Sequence, residues 1–308
     1  MTSKIVAIQG DHPSKLNPVT DTSIFLANQI QNKKYKIFYY DPKDLSILNS
    51  KVIAKGFFIK FNYEQKKFFK ILKKQTLDLT KSKFILIRQD PPFNLEYIST
   101  TYILDSIKSK VKIINNPTSI RNVSEKLYSA KYQRFMPSTI FSQDLDEIKN
   151  FIKKNKKVIL KPIHSYSGND IHLVKSFNSK FINKFIKKHD YIMCQKFLPK
   201  ISKGDKRVFI INGKVCGAIS RVPIPGSFLS NMSKGAKPIN IKLTKTEKKI
   251  SKLIANDLKK EKIFFAGIDF IDQKLNGDIN VTSPTGLKTL FDLSGKNLAK
   301  IFWEKLKA

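Results

Sequence analysis

The chain has 308 residues, enough for two or three lobes with their own cores, and 41% of them are hydrophobic, which excludes a disordered chain. Lys and Arg number 58 against 24 Asp and Glu, a formal net charge of +34, yet Arg occurs only at 88, 121, 134, 207 and 221. The remaining 53 cations are Lys spread along the whole chain, so the charge reads as a solvated surface rather than a dedicated nucleic-acid face, which would draw on Arg and interleaved aromatics.

Met1–Gln9 is too short for the apolar core of a signal peptide and reads as a first strand. Asp21-Thr22-Ser23 offers an N-cap to a helical stripe at Ile24, Leu26, Ala27 and Ile30. Lys36–Tyr40 is strand-like. Residues 51–80 suggest a hairpin around Gly56, then a Lys-rich amphipathic stretch. Phe84–Arg88 is a buried-type strand ending in Asp90-Pro91-Pro92. Leu95–Ile107 reads as a helix and Val111–Ile114 as another strand. This βαβ rhythm predicts a small parallel α/β lobe over 1–120, with ligands at the strand C-terminal ends, where Arg88 lies.

The character then changes. Val158–Pro162, Ile171–Val174, Tyr191–Phe197, Arg207–Ile211 and Lys214–Arg221 are short strands, and Asn212-Gly213 is a hairpin turn signal. Thr244–Lys260 is an amphipathic helix with Ile250, Leu253, Ile254 and Leu258 on one face. Phe264–Ile271 and Asp278–Thr282 form a strand pair, and Ser294–Lys305 a final helix. Residues 121–308 therefore read as α+β. Cys194 and Cys216 give neither a disulfide framework nor metal spacing, which fits a cytoplasmic protein. No apolar run is long enough to span a membrane. His12, His164, His172 and His189 show no ligand spacing.

Three segments could carry chemistry. In Phe264–Gly286, Asp269, Asp278 and Asn280 are polar groups on apolar strands, an all-oxygen set suited to magnesium held with nucleotide phosphates. The alternative is a strand start at Asp278 and a surface Asn280. Register decides between them. A two-residue turn at Asn276-Gly277 leaves Asp269 roughly 13 Å from Asn280. A four-residue loop over Asp272–Leu275 sets Asp269 opposite Asp278, as a metal site requires. In Val158–Ile171, Lys161 ends a strand before a Ser/Gly/Asn-rich turn that could cradle phosphate; surface Lys is the plain alternative. In Tyr191–Arg221, Arg207 and Arg221 on neighbouring strands would grip a phosphorylated or carboxylate-bearing substrate, unless they are cross-strand surface cations.

The strings RQDPPF (88–93), INNPTSIR (114–121), Glu125-Lys126-Leu127, ILKP (159–162), Gln195–Pro199, GDKRV (204–208), FAGID (265–269) and INVTSPTG (279–286) resemble, in order and across nearly the whole chain, the prokaryotic glutathione synthetase family. The resemblance implies an ATP-grasp fold preceded by the small α/β lobe, with subdomains of about 121–196 and 197–308. It implies that ATP phosphorylates a carboxylate of γ-glutamylcysteine and that glycine attacks the acyl phosphate, giving glutathione, ADP and phosphate. By the same resemblance Lys126, Lys161 and the Gly168 loop hold the ATP phosphates. Gln195, Lys196, Phe197 and Leu198 line the adenine pocket, and Asp205 lies near the ribose. Asp269, Asp278 and Asn280 carry Mg²⁺ (or Mn²⁺). Arg207 and Arg221 stabilise the acyl phosphate. Arg88, Asn231, Ser283, Pro284, Thr285 and Gly286 contact peptide or glycine. A homotetramer is also implied.

The sequence departs from the family pattern in three places. The phosphate loop His164-Ser165-Tyr166-Ser167-Gly168 has one glycine where the family has several. Asp278 replaces a Glu, in a hairpin one residue longer. The lid-like stretch Pro223–Pro238 has two glycines. These leave open a ligase for another peptide or amino acid, or a weakly active or non-catalytic descendant.

Overall fold

The computed structural model describes residues 4–165 and 168–308; Met1–Ser3 of the expected first strand and Tyr166 and Ser167 of the expected phosphate loop lie outside the described residues. The N-terminal lobe contains β1 (Ile5–Gln9), α1 (Thr22–Gln31), β2 (Lys36–Tyr40), β3 (Leu45–Leu48), β4 (Lys51–Phe61), β5 (Phe69–Asp78), β6 (Phe84–Ile87), α2 (Leu95–Asp105), β7 (Lys112–Ile114) and α3 (Pro117–Asn122). The sheet order is β3-β4-β2-β1-β6-β7, with β5 added to β4. The β1 stretch Val6–Gln9 and the whole of β6 are buried, as expected for central parallel strands covered on both faces. Asp21 caps α1 by accepting from the Ile24 amide at 2.8 Å.

Two expectations for this lobe fail. The sheet is mixed rather than parallel, because β4 runs antiparallel to β2, β3 and β5. The hairpin also turns beyond β4, between Phe61 and Phe69, and Gly56 sits mid-strand, where a Cβ would collide with the Tyr39 carbonyl. The Lys-rich stretch is the strand β5, exposed over Lys70–Lys74, so its side chains mimic the polar side of an amphipathic helix.

Next come β8 (Thr139–Ser142), α4 (Leu145–Asn155), β9 (Val158–Pro162), β10 (His172–Val174), α5 (Ser179–His189) and β11 (Ile192–Lys196), a four-stranded antiparallel sheet ordered β10-β9-β11-β8. The helices α4 and α5 fall outside the expected elements. Their signals are side-chain caps at Asp144 and Asn178 ahead of the buried pairs Ile148/Ile152 and Ile182/Phe185. The last sheet, β14-β13-β12-β15-β16, uses β12 (Asp205–Ile211), β13 (Lys214–Val222), β14 (Lys237–Asn240), β15 (Phe265–Ile271) and β16 (Lys274–Asn280). It packs on α6 (Lys245–Lys260), whose Thr244/Glu247 capping box fixes its start. Ile250, Ile254 and Leu258 of α6 share a core with Val208, Ile210, Ile268 and Ile279.

The C-terminal helix is two: α7 (Leu287–Ser294) and α8 (Leu298–Leu306), broken at Gly295 with φ +71°. Both pack back toward the first lobe. Trp303, fully buried, donates from Nε1 to the Leu26 carbonyl at 2.9 Å, and Phe302 meets Phe264 and Phe265 edge-on. Asn115, 3% exposed, adds a polar tie: its Oδ1 accepts from the Phe264 and Phe265 amides at 2.9 and 2.8 Å. Its Nδ2 donates to the Phe265 and Val281 carbonyls at 2.7 and 2.6 Å.

Candidate functional site

A cavity of about 540 Å³ opens where the three sheets meet. All of the residues expected at the site line it except Arg88, Pro284 and Gly286. The strand ends explain the convergence: β9 delivers Lys161, β11 delivers Gln195 and Lys196, and β12, β13, β15 and β16 present one polar face.

That face is organised by ion pairs. Asp205 pairs in register with Arg221 and Arg207 with Asp269, so antiparallel pairing places acid opposite cation twice. Arg207 donates from Nε to Asp269 Oδ1 at 2.9 Å and from Nη2 to Asp269 Oδ2 at 2.7 Å. Arg221 donates from Nε to Asp205 Oδ1 at 2.8 Å, from Nη2 to Asp205 Oδ2, and from Nη2 to Asp269 Oδ2 at 3.0 Å. Both arginines are buried, so these charges are scarcely screened. Burial opposes the charge on Asp269, but the two guanidinium groups outweigh it and hold its carboxyl well below the usual range. Asp205 has both oxygens on Arg221, a commitment its expected ribose role did not anticipate.

The hairpin β15–β16 resolves the register question in a third way. It turns at Asp272-Gln273, with φ +47° and +62°, so neither the Asn276-Gly277 turn nor the Asp272–Leu275 loop forms. Both residues take the left-handed conformation of a two-residue hairpin turn. The extra residues become a bulge: Ile268 pairs with Ile279 and Phe270 with Leu275, leaving Asp269 to face Asn276–Asp278. Asn280 Nδ2 donates to the Gly267 carbonyl at 3.2 Å and approaches Asp269 Oδ2 at 3.4 Å. Asp269, Asp278 and Asn280 thus share one end of the cavity. The strand also starts at Lys274 and stops at Asn280, earlier than the expected Asp278–Thr282.

Two buried lysines face Asp278. Lys126 Nζ donates to the Ser165 carbonyl at 2.7 Å and lies 3.5 Å from Asp278 Oδ1. Lys161 Nζ donates to the carbonyl and side-chain oxygens of Asn276, both at 2.9 Å, and to Asp278 Oδ2 at 3.4 Å. Burial opposes ionisation of Asp278, but Lys161 and Lys126 hold its carboxyl below the usual range. Burial pulls the Lys161 ammonium down, against the pull of Asp278. Two lysines, each 4% exposed, share one carboxylate, which leaves excess positive charge directed at the cavity.

Gly168 has φ +73°, and a Cβ there would meet Asn231 Oδ1 at 2.5 Å, so the loop after β9 touches the Pro223–Pro238 stretch. Gln195 donates to Thr139 Oγ1 at 3.0 Å. The Lys196 and Phe197 amides bond to Ser138 and Lys157 carbonyls, leaving the Leu198 amide without a partner among the described residues. Thr285 Oγ1 accepts from Arg207 Nη1 at 3.4 Å and Ser283 Oγ donates to the Arg88 carbonyl at 3.2 Å. Pro284 and Gly286 turn into the body instead. Pro284 is buried, and the Gly286 amide donates to Thr22 Oγ1 at 3.1 Å. Arg88, 6% exposed, lies just behind the lining with Nε on Ser23 Oγ at 3.0 Å.

Several lining residues were not singled out as site residues. Glu125 Oε1 accepts from the Val281 and Thr282 amides at 2.9 and 3.1 Å and from Thr282 Oγ1 at 2.8 Å, fixing the strand end beside Lys126. Its signal was adjacency to Lys126. Asn276, Asp21 and Asp90 also line the cavity; Asp90 lies in the RQDPPF string, whereas Asp21 reads as a helix cap and Asn276 as a turn residue.

The metal set passes a chemical test. Among the described residues no group of three His, Cys, Asp or Glu side chains could hold a metal ion, so an ion here rests on two carboxylates and an amide oxygen. Both carboxyls are held ionised, and all three donors are hard oxygens, which suits Mg²⁺ kept partly hydrated beside phosphates.

Comparison with known proteins follows the same division. A sequence profile of the prokaryotic glutathione synthetase N-terminal domain matches residues 5–121, and one of the prokaryotic glutathione synthetase ATP-grasp domain matches residues 125–295. The chain is 33% identical over 306 residues to the glutathione synthetase of Bradyrhizobium diazoefficiens, covering 98% of this chain and 97% of that one. It is 35% identical over 301 residues to that of Prochlorococcus marinus, covering 96% of each. Among solved structures, D-alanyl-alanine synthetase A of Vibrio cholerae superposes with a TM-score of 0.62 at 14% identity, covering 100% of this chain and 98% of that one, a likeness of fold alone. No described helix is long and apolar enough to cross a membrane.

Proposed function

The chain belongs to the prokaryotic glutathione synthetase family, and from that premise we propose that its substrates are γ-glutamylcysteine, glycine and ATP. It is an ATP-dependent carboxylate–amine ligase of the ATP-grasp fold. The single observation that carries the site reading is the convergence of Lys126, Lys161, Arg207 and Arg221 with Asp269 and Asp278 on one cavity. Joining two anions, a carboxylate and a triphosphate, is chiefly a problem of neutralising charge and fixing positions, and this constellation has the chemistry for it.

Lys126 and Lys161 hold phosphate oxygens of ATP. The segment Gln195–Leu198 lines the adenine end, with the Leu198 amide, unpartnered among the described residues, available to a ring nitrogen. Asp269, Asp278 and Asn280 would hold Mg²⁺, which when bound neutralises charge on the phosphates. Arg207 and Arg221 face the transferring phosphoryl group and the oxyanion that forms when glycine attacks the acyl phosphate. Their pairing with Asp205 and Asp269 keeps the guanidinium planes fixed before substrate arrives, so little reorganisation is needed at the moment of reaction. Asn231, Ser283 and Thr285 contact peptide or glycine. The reaction needs no side-chain nucleophile, because the carboxylate itself attacks phosphorus and the amine attacks carbon. The buried free thiols Cys194 and Cys216 support a cytoplasmic setting.

The test is phosphate release from ATP and Mg²⁺ with γ-glutamylcysteine, with and without glycine, with the product weighed by mass spectrometry. Glycine-dependent release yielding glutathione is the expected result. Folded, ATP-binding protein that releases no phosphate with glycine and this peptide refutes the substrate assignment.

A further inference from the structure

Resting on the reading that Lys126 and Lys161 hold nucleotide phosphates, we propose that Asn276 is a positioning residue for Lys161. Its two oxygens solvate the buried ammonium and aim it at the cavity without neutralising it, so the charge is left for phosphate. The first observation is the ranking of the contacts. Lys161 is 4% exposed, and its Nζ donates to the Asn276 carbonyl and to Asn276 Oδ1, both at 2.9 Å, whereas Asp278 Oδ2 lies farther off at 3.4 Å. The Asn276 amide nitrogen approaches the same Asp278 oxygen at 3.4 Å, so the cation on one side and the carboxylate on the other set which way the amide points.

The second observation is how the strands deliver this contact. The alternating burial of β16 puts Asn276, Asp278 and Asn280 on one face, and all three line the cavity. Between the first two, Gly277 has φ +88°, and a Cβ there would collide with Met193 Cε. In the neighbouring sheet Met193 pairs in register with Lys161. A bare Gly277 therefore lets β16 come close enough to β11 and β9 for Lys161 to reach both Asn276 and Asp278. The approach is made at the bulge facing Asp269, so the surplus residues of the hairpin are what set an amide oxygen against the lysine.

Charge explains why an amide serves here and a carboxylate would not. Lys126 and Lys161 bring two ammonium groups, and among the described residues Asp278 is the one carboxylate paired with either. That leaves a surplus of positive charge for an anionic ligand. An ammonium taken out of water is costly unless it is hydrogen-bonded, and the amide supplies the hydrogen bond without cancelling the charge. Lys126 is treated alike, since its short contact is the Ser165 carbonyl at 2.7 Å. Asp278 also belongs to the metal set. A contact that does not depend on it keeps Lys161 in place whichever partner that carboxylate takes. The carbonyl of Asn276 is fixed by the strand, so its side-chain oxygen is the part to test.

The experiment is calorimetric titration of the full chain with AMPPNP, a non-hydrolysable ATP analogue, in EDTA so that no metal ion takes part. Circular dichroism verifies the folding of each variant. Asn276→Ala should weaken binding by about 10-fold, the effect of one hydrogen bond to a charged group. In a Lys161→Met background the same change should alter affinity by less than about 2-fold, because Asn276 acts through the lysine. Asn276→Asp keeps an acceptor oxygen at the same place but cancels the surplus charge, so it should bind AMPPNP more weakly than Asn276→Ala. Wild-type affinity in Asn276→Ala overturns the proposal. So do equal losses from Asn276→Ala with and without Lys161, and so does wild-type affinity in Asn276→Asp. Unchanged affinity in Lys161→Met alone would instead refute the phosphate reading on which the proposal stands.

Discussion

Replacing Arg221 by Lys keeps one positive charge and removes the planar fork, and the structure indicates what that change costs. Arg221 is 5% exposed and makes three charge-assisted contacts, two to Asp205 and one to Asp269. A lysine ammonium at the end of a flexible chain can keep one of them well aligned. Losing the others removes about 1.5–3 kcal/mol each before relaxation, with little solvent screening at this depth. The catalytic loss is separate. An arginine aimed at the forming oxyanion contributes about 2.7–4 kcal/mol, so kcat should fall by about 100- to 1000-fold. ATP affinity should change by less than about 3-fold, because the proposed function gives ground-state binding of the phosphates to Lys126 and Lys161 and uses Arg221 chiefly in the transition state. The assay is glycine-dependent phosphate release for kcat, calorimetric titration for ATP, and circular dichroism to verify folding. Mild, equal losses in turnover and ATP affinity from a folded variant would refute this assignment.

Three further outcomes follow from the same geometry. Lys161→Met should weaken ATP binding by at least about 10-fold, since it removes one of two buried cations facing the phosphates and leaves Asp278 less compensated; unchanged affinity by titration would remove Lys161 from the phosphate site. Asn115→Ala should cost about 3 kcal/mol or more, because four backbone groups of Phe264, Phe265 and Val281 lose their partner together, and a urea midpoint equal to wild type would refute the tie between the lobes. Asp269 and Asp278 both have carboxyls held below the usual range, burial being outweighed by Arg207 and Arg221 in the first and by Lys161 and Lys126 in the second. Their folded values lie below the unfolded one of about 3.9, so their stabilisation is complete above about pH 5 and is lost as pH falls through the folded values. Asp269→Asn should therefore flatten the acid limb of a stability–pH curve, and coincident acid limbs would count against the ion-pair account.

The sequence by itself determined the elements whose signals are local. The apolar runs of β1 and β6, the Asp21 cap of α1 and the Thr244–Glu247 box of α6 are each set within a few residues, and each forms where expected. The strand signals of Tyr191–Arg221 also singled out Arg207 and Arg221, because neighbouring strands set two planar, bidentate cations side by side. Local signals failed where two segments had to meet. The β5 strand read only as a Lys-rich amphipathic stretch, because Lys70–Lys74 is exposed and shows no alternation of buried and exposed residues. The hairpin register could not be chosen, since Asn276-Gly277 is the stronger turn signal, yet the chain turns at Asp272-Gln273 and accommodates the surplus as a bulge opposite Asp269. That choice is tertiary. With the turn at 272–273, Leu275 and Ile279 enter the α6 core while Asp278 faces Lys126 and Lys161. Only the packed sheets decide which carboxylate meets which cation, because pairing energies between residues 16 to 152 positions apart depend on strand order and lobe docking, and neither is written in any local window.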